Sequence, residues 1–260
     1  MKKSKTLSTL AILLAAAIGL QSCQKDSVPY DESLVYPTAL VTVKPDAEGS
    51  SFYMQLDEKT VLIPTNISKS PFGAKEVRAL VNCTSATENE ISRSNSYNGS
   101  LQRDVVYVNW MDSVLTKPMM NDLGREKNCE SYGNDPVEIV NDWVTIAEDG
   151  YLTLRFRTIW GKSGITHYIN LVPTPDEDNP YHVTLYHNAM GDTAGEAGDA
   201  IVAFRLDKLP DTGDGSVDLV LEWNSFTGGK NATFKYSTRH DSANKSGFNL
   251  ATGYARKDIE

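Results

Sequence analysis

The chain has 260 residues and carries 25 basic against 34 acidic side chains, which gives a net charge of −9. This acidic balance excludes a broad basic surface for nucleic acid and disfavours binding to anionic lipid, and the length allows one large domain or two small ones. Valine, threonine, tyrosine and glycine recur in short alternating runs, which favours an all-β fold.

Residues 1–22 predict an export signal. A lysine-rich start precedes an apolar stretch over residues 7–20, which is too short to span a bilayer as a mature helix. Ser22 then stands just before Cys23, a pattern typical of bacterial lipoprotein signals. We expect the chain to be cut before Cys23 and the Cys23 thiol to carry the lipid that anchors the protein in a membrane. The alternative is an ordinary cleavage site beside a free cysteine.

Residues 23–37 are predicted to form a lipidated tether, since they are polar and contain Pro29 and Pro37. The Gln24-Lys25-Asp26 sequence resembles the export signal by which Bacteroidetes send lipoproteins to the outer face of the outer membrane, and an arbitrary polar linker is the alternative. We expect an exported outer-membrane lipoprotein at the cell surface, or otherwise on the periplasmic face.

Residues 38–118 are predicted to form a small barrel similar to an OB-fold, because five short apolar runs follow one another with no clear helix. The predicted strands are residues 39–43, 52–56, 60–63, 78–82 and 104–111. Residues 85–102 are polar and are predicted to be a loop.

Residues 119–133 are predicted to be a linker, because they are polar and contain two glycines and no long apolar run. Residues 134–236 then show six or seven strand patterns, which predict an antiparallel β-sandwich. Its first hairpin would pair residues 136–146 with 151–160 around a turn at Asp149-Gly150. Residues 237–260 are predicted to be a flexible tail.

The remaining cysteines are Cys83 and Cys129, if Cys23 is lipidated. An exported chain works in an oxidising compartment, so a disulfide between them is one possibility. The alternative is a buried Cys83 in a strand and an exposed Cys129 in a loop.

The sequence contains no pattern typical of a catalytic or metal site. His182 and His187 are five residues apart, which places them on opposite faces of a regular strand and makes them a poor metal pair. A pair such as Asp149 and Asp192 could act as acid and base only if the fold brought the two carboxyls together. We expect a protein that is not an enzyme and that has no metal and no cofactor.

The most distinctive polar segments offer two interpretations. His187, Asn188 and Asp192 could line a ligand site at the end of a strand, with Asn134 and Asp135 at the entrance of the sandwich. Alternatively, these side chains form structural turns by bonding to nearby backbone groups. The four tryptophans lie in apolar runs, where they would form core. The exposed faces that carry Tyr151, Arg155 and Arg157 are therefore the better candidate for a contact surface.

The order of several short motifs resembles the NigD-like lipoproteins of Bacteroidetes. The motifs are FYMQLD at residues 52–57, LIP at 62–64, VLTK at 114–117, GNDP at 133–136, HYINL at 167–171 and HNAMGD at 187–192. The resemblance implies an N-terminal OB-like domain and a C-terminal β-sandwich. The family's namesake comes from a bacteriocin gene cluster, which implies a link to bacteriocin immunity.

These observations lead us to expect a non-catalytic binding module whose ligand is a glycan or a protein. A lipoprotein that protects against a bacteriocin is one alternative, and a structural component of an envelope complex is another. The expected partners are the membrane, through the lipid on Cys23, and that glycan or protein ligand, but not nucleic acid. The oligomeric state stays open.

Overall fold

The computed structural model describes residues 32–87 and 102–239. Within these ranges the chain forms fourteen strands and one α-helix, α1 (Arg125–Tyr132). The strands are β1 (Ala39–Pro45), β2 (Phe52–Gln55), β3 (Thr60–Pro64), β4 (Val77–Ser85), β5 (Gln102–Ser113), β6 (Leu115–Pro118), β7 (Glu138–Ile139), β8 (Ile146–Glu148), β9 (Tyr151–Trp160), β10 (Tyr168–Pro173), β11 (His182–Asn188), β12 (Glu196–Arg205), β13 (Val217–Ser225) and β14 (Gly228–Tyr236). Across the described part of the chain, no helix has the length and apolar character needed to cross a membrane.

The first domain is a closed five-stranded barrel in the order β1-β2-β3-β5-β4. Strands β3 and β5 are parallel, and the other neighbours are antiparallel. Alternate residues of each strand point inward, so Val41, Val43, Met54 and Val81 are fully buried in its core. The predicted OB-like barrel is confirmed.

The second domain consists of two sheets packed face to face. One sheet has the order β10-β11-β13-β14, and the other has the order β6-β12-β9-β7 with β8 also paired to β9. Leu152, Leu154 and Phe156 of β9 are fully buried between the sheets. The β-sandwich is confirmed, although β11 pairs with β13 in parallel rather than antiparallel orientation.

The boundary between the domains differs from the prediction. Strand β6 pairs with β12 and so belongs to the sandwich, although residues 115–118 were assigned to the barrel. The predicted linker 119–133 contains α1, whose Asn128 and Tyr132 are buried against the second domain. The sequence hides this helix, because its eight residues contain no apolar stripe.

The first hairpin of the sandwich is shorter than predicted. Strand β8 pairs with the start of β9 around the two-residue turn Asp149-Gly150, and both turn residues have positive φ values, 49° and 76°. The other predicted arm is divided, because β7 covers only two residues and an irregular segment separates it from β8.

Apolar and charged groups join the two domains. Leu40 and Val114 of the barrel side pack against Val144 and Ala203 of the sandwich. Beside this contact, Arg78 of β4 is fully buried, and its guanidinium lies 3.5 Å from Glu148. We call Arg78, the charged residues around it and Tyr151 the interdomain cluster, which consists of Lys44, Glu76, Arg78, Glu148, Asp149, Tyr151 and Arg239.

An ion pair and a hydrogen bond also cross the domain boundary within the interdomain cluster. Lys44 Nζ lies 2.9 Å from Asp149 Oδ1, and both side chains are almost completely buried. Tyr151, which is 1% exposed, donates its hydroxyl hydrogen to Glu76 of the barrel. Because these pairs are shielded from water, they hold the two domains in one orientation.

Both predicted flexible ends are partly fixed. Asn82 Nδ2 donates to the backbone oxygens of Ser33 and Tyr36 at 2.7 and 2.6 Å, so the last part of the predicted tether lies against the barrel. At the other end, the first three residues of the predicted tail are ordered, and Arg239 pairs with Glu76. The signal peptide, Cys23, most of the tether and residues 240–260 lie outside the described residues, as does most of the predicted loop 85–102.

The two cysteines do not form a disulfide. Cys83 in β4 and Cys129 in α1 are both free thiols and half-buried. The alternative interpretation placed Cys83 correctly in a strand, but Cys129 lies in a helix rather than in an exposed loop.

Candidate functional site

The segment after β11 forms a tight turn, as the structural interpretation requires. Asn188 Oδ1 accepts a hydrogen bond from the backbone N–H of Met190, and the N–H of Asp192 donates to the carbonyl of Ala189 at 2.9 Å. Met190 and Gly191 have positive φ values of 52° and 79°. The Asn188 side chain is therefore part of the turn itself.

The Asp192 side chain has a different role from the predicted one. Its carboxylate leaves the turn and accepts hydrogen bonds from the backbone N–H groups of Gly161 and Lys162 at 2.9 and 3.0 Å. These groups lie in the loop that follows β9, so Asp192 joins two loops at the same end of the sandwich.

Two buried histidines extend the contacts of Asp192 into the core of the sandwich, one next to Asp192 and the second next to the first. His167 Nε2 lies 3.3 Å from Asp192 Oδ2, and His167 Nδ1 lies 3.0 Å from His187 Nε2. The Trp160 ring stacks on His167 with ring centroids 4.2 Å apart. His167, His187 and Asp192 are all at least 97% buried, and we call them the His–His–Asp chain.

The environment of the His–His–Asp chain shifts the pKa values of two of its members, His187 and Asp192. Burial, followed by repulsion from His167, lowers the pKa of His187 to about 4, so His187 is neutral at pH 7. The backbone donors Gly161 and Lys162 and the neighbouring His167 together hold the pKa of Asp192 below its ordinary value. A neutral His187 therefore lies in the same chain as an Asp192 whose ionised form is favoured.

Asn134 and Asp135 lie beside the same turn. The N–H of Asp135 donates to the carbonyl of His187, and Asp135 Oδ2 accepts the N–H of Ala189 at 2.7 Å. The carbonyl of Asn134 accepts a hydrogen bond from the Asn224 side chain at 2.7 Å. The structure thus brings all five predicted residues together, although they come from two distant parts of the sequence.

The chemistry of this arrangement favours a structural role. The Asp192, Asp135 and Asn188 oxygens all accept backbone hydrogen bonds, and His167 and His187 are turned towards each other inside the sandwich. No serine or cysteine completes a nucleophile–base pair with either histidine among the hydrogen bonds of the described residues. Within residues 32–87 and 102–239, no group of three or more potential ligands is placed to hold a metal ion.

The other candidate residues lie apart from this site. His182 contacts Thr174 and Glu222 rather than His187. Asp149 belongs to the interdomain cluster, so it does not form an acid–base pair with Asp192.

The predicted contact surface differs from the one in the structure. Tyr151 is only 1% exposed, so it is not part of a contact surface. Arg155 and Arg157 are partly exposed, but both pair with Asp199, and Arg155 also pairs with Asp142 at 2.7 Å. The expectation that all four tryptophans are core residues is wrong for Trp143, whose exposed fraction is 52%. Trp143 follows Asp142 in the chain, so this exposed side chain is next in sequence to a residue that holds Arg155.

Sequence patterns did not indicate the roles of His167 and Trp160 at the His–His–Asp chain. Nor did they indicate the interdomain cluster, of which only Asp149 and Tyr151 were candidate residues. His167 meets Asp192 only because Tyr168 pairs with Asn188, and that register is not visible in the spacing. For the cluster one signal was present, because Arg78 interrupts an apolar strand, and a charge in such a place needs a buried partner.

Family models match most of the chain. The model of the NigD-like N-terminal OB domain matches residues 40–114, and that of the NigD-like C-terminal beta sandwich domain matches residues 119–236. A comparison with curated proteins found no match.

Several solved structures are similar over most of their length. A protein of Parabacteroides distasonis named as toxin-related is 33% identical, with a TM-score of 0.61 and coverage of 77% of this chain and 92% of that one. A protein of unknown function from Bacteroides vulgatus is 21% identical, with a TM-score of 0.56 and coverage of 81% and 94%. A NigD-like immunity protein from Bacteroides caccae is 18% identical, with a TM-score of 0.53 and coverage of 76% and 96%. With both of its domains matched in order, this chain belongs to the NigD-like family.

Proposed function

We propose that the protein is an exported, lipid-anchored binding module without catalytic activity, held on the outer membrane and displayed at the cell surface. The observation that carries the binding role is Trp143, a large aromatic side chain that is 52% exposed in the irregular segment between β7 and β8. Exposed tryptophans of this kind are common at the centres of binding surfaces.

The surroundings of Trp143 support this proposal. The next residue, Val144, is buried in the apolar contact between the domains, so the backbone under Trp143 is fixed. Arg155 and Arg157 are held by Asp142 and Asp199, so they offer planar guanidinium groups in fixed positions. A pre-organised surface loses little conformational entropy when a protein or glycan binds.

A non-catalytic role is supported by the structural hydrogen bonds of the His–His–Asp chain. Its polar atoms stabilise two loops, and the interdomain cluster fixes the barrel against the sandwich. The module would therefore present one rigid surface rather than two independently moving domains.

Photo-cross-linking in intact cells tests the binding role. A photoreactive phenylalanine analogue at position 143 should give a specific cross-linked product, and the same analogue at Tyr168, which is 37% exposed on β10, is the matched control. Absence of a product at 143, with no tryptophan quenching by any member of a polysaccharide panel, would contradict the proposal. Saturable quenching would identify the ligand as a glycan.

Protease shaving of intact cells tests surface display. Wild-type protein should be degraded while a periplasmic marker survives, and a variant lacking Gln24, Lys25 and Asp26 should be protected. Full protection of the wild type would place the protein on the periplasmic face.

Protection against a bacteriocin is a second candidate function. It is supported by the names of two similar structures, one toxin-related and one a NigD-like immunity protein. A deletion strain should then be killed at a lower toxin concentration than the wild type, and plasmid-borne protein should restore resistance. Equal killing of both strains would reject this candidate.

A further inference from the structure

Three consecutive apolar residues are exposed where the described chain enters the barrel. Leu34, Val35 and Tyr36 have exposed fractions of 43%, 40% and 73%. Leu34 is the last residue of a single-turn 3-10 helix, and Val35 and Tyr36 lie between that helix and β1. We call these three residues the N-terminal apex.

The backbone of the N-terminal apex is fixed to the barrel. Asn82, which is 1% exposed, donates to the carbonyls of Ser33 and Tyr36, and Trp110 Nε1 donates to the carbonyl of Leu34 at 2.5 Å. The apolar side chains are therefore presented to the surroundings by a rigid support. Their exposure is not a consequence of a loose chain end.

The chain length places the N-terminal apex near the lipid anchor. Only ten residues separate Cys23 from Leu34. At about 3.6 Å per residue, a fully extended chain of this length reaches roughly 40 Å, and any bend brings the two ends closer. The barrel face that carries the apex is therefore the face that can reach the membrane surface most easily.

We propose that the N-terminal apex docks on the same bilayer that holds the lipid of Cys23, with Tyr36 at the level of the headgroups. This inference rests on the proposed lipid anchoring. A tyrosine beside aliphatic side chains suits the boundary between water and acyl chains, because its ring is apolar and its hydroxyl is polar. Weak intrinsic affinity is sufficient, since the anchor keeps the apex at a high effective concentration near the bilayer.

The side-chain charges around the N-terminal apex indicate the class of lipid to which it can bind. Residues 32–37 contain one acidic and no basic side chain. Docking therefore depends on apolar contact with zwitterionic lipid and should be insensitive to salt. In this orientation the barrel lies at the membrane. Phe226 is at the turn between β13 and β14 of the sandwich, and it is the opposite end of β14 that meets the barrel, where Ser237 donates a hydrogen bond to Glu58.

Fluorescence of the reconstituted lipoprotein tests this inference. The acylated full-length mature protein is placed in phosphatidylcholine vesicles as Tyr36→Trp, and as Phe226→Trp for the control, since Phe226 is 48% exposed. After subtraction of the wild-type signal, the Tyr36→Trp emission should shift to shorter wavelength and be mostly lost with lipids brominated near the headgroup. The Phe226→Trp emission should do neither, and 0.5 M salt should change neither result.

The outcomes separate this inference from the anchoring on which it depends. Protein that stays on the vesicles while Tyr36→Trp is neither shifted nor quenched overturns the docking but not the anchoring. A shift without quenching by brominated lipid means that protein covers the apex, and this also overturns the docking. Protein that fails to stay on the vesicles contradicts the proposed lipid anchor itself.

Discussion

Arg239 Nη1 lies 2.6 Å from Glu76 Oε1, which joins the end of the described chain to the barrel across the domain boundary. Burial would raise the pKa of Glu76, but the charge and hydrogen bonds of Arg239 outweigh this effect, so the pKa of Glu76 falls below its ordinary value. Arg239 also lies 5.9 Å from the centroid of the Tyr151 ring. Residues 237–239 therefore fasten the barrel to the sandwich, although they follow the last residue that the family model matches.

The first prediction concerns this fastening. Arg239→Ala should lower the free energy of unfolding by about 1–3 kcal/mol, because it leaves the largely buried Glu76 without its cationic partner. Urea unfolding measures the change. The control is Lys235→Ala, since Lys235 pairs with Asp218 on the surface and should contribute less than about 1 kcal/mol. Equal effects of the two variants would show that Arg239 does not join the domains.

The second prediction concerns Arg78. Burial lowers the pKa of Arg78 and raises the pKa of Glu148, so each charge is stabilised chiefly by the other. Arg78→Ala should cost about 3–5 kcal/mol, because it leaves a charged group and a void at the domain boundary. Adding Glu148→Gln should recover part of this loss in a double-mutant cycle measured by urea unfolding. Strictly additive losses would contradict the pairing.

Sequence patterns predicted the parts of the fold that local chemistry determines. The alternation of Leu152, Leu154 and Phe156 correctly predicted a strand with one buried face, and Asp149-Gly150 correctly predicted a tight turn. Helix α1 was missed because it has no apolar stripe. It is stabilised instead by the packing of Tyr132 and the buried Asn128. Local patterns report such long-range packing poorly.

The candidate site was predicted in composition but not in geometry. Two distinctive polar segments indicated the site residues. One contains His187, Asn188 and Asp192, and the other contains Asn134 and Asp135. The contact between Asp192 and His167 depends on the register of β10 and β11, and that register is set by the whole sheet. Sequence spacing alone therefore predicted a turn and missed the buried histidine pair.

The third prediction is a pH dependence of stability that arises from His187. Its pKa is about 4 in the folded protein and about 6.5 when unfolded, so between these values the unfolded chain binds a proton that the folded chain excludes. Stability should therefore fall as the pH drops from 6.5 to 4, by on the order of 3 kcal/mol in total. Urea unfolding at several pH values measures this loss.

The variant His187→Gln removes the titrating group and should reduce the pH dependence in that window. His182→Gln is the matched control, because it replaces a histidine at the other end of the same strand, outside the His–His–Asp chain. If wild type and His187→Gln lose stability in parallel between pH 6.5 and 4, the burial of a neutral His187 is contradicted.

The fourth prediction concerns Gly133. Its backbone has φ 84° and ψ 173°, and a Cβ there would lie 2.5 Å from the His187 carbonyl and from Asn188 Cβ. Gly133→Ala should therefore cost more than about 3 kcal/mol, since both strain and a clash with backbone oppose it. Gly164→Ala provides the control, because Gly164 has φ 85° with no atom within 4 Å and should cost only about 1–2 kcal/mol. Similar melting temperatures for both variants would contradict the close packing under the turn.

Fatty-acid labelling tests the lipid anchor most directly, and both the proposed function and the docking of the N-terminal apex depend on that anchor. Cells that express wild-type protein or Cys23→Ala would be grown with labelled palmitate and separated into soluble and membrane fractions. We expect label and membrane association for the wild type, and an unlabelled protein outside the membrane fraction for Cys23→Ala. A Cys23→Ala protein that is still labelled and still in the membrane fraction would contradict the central claim.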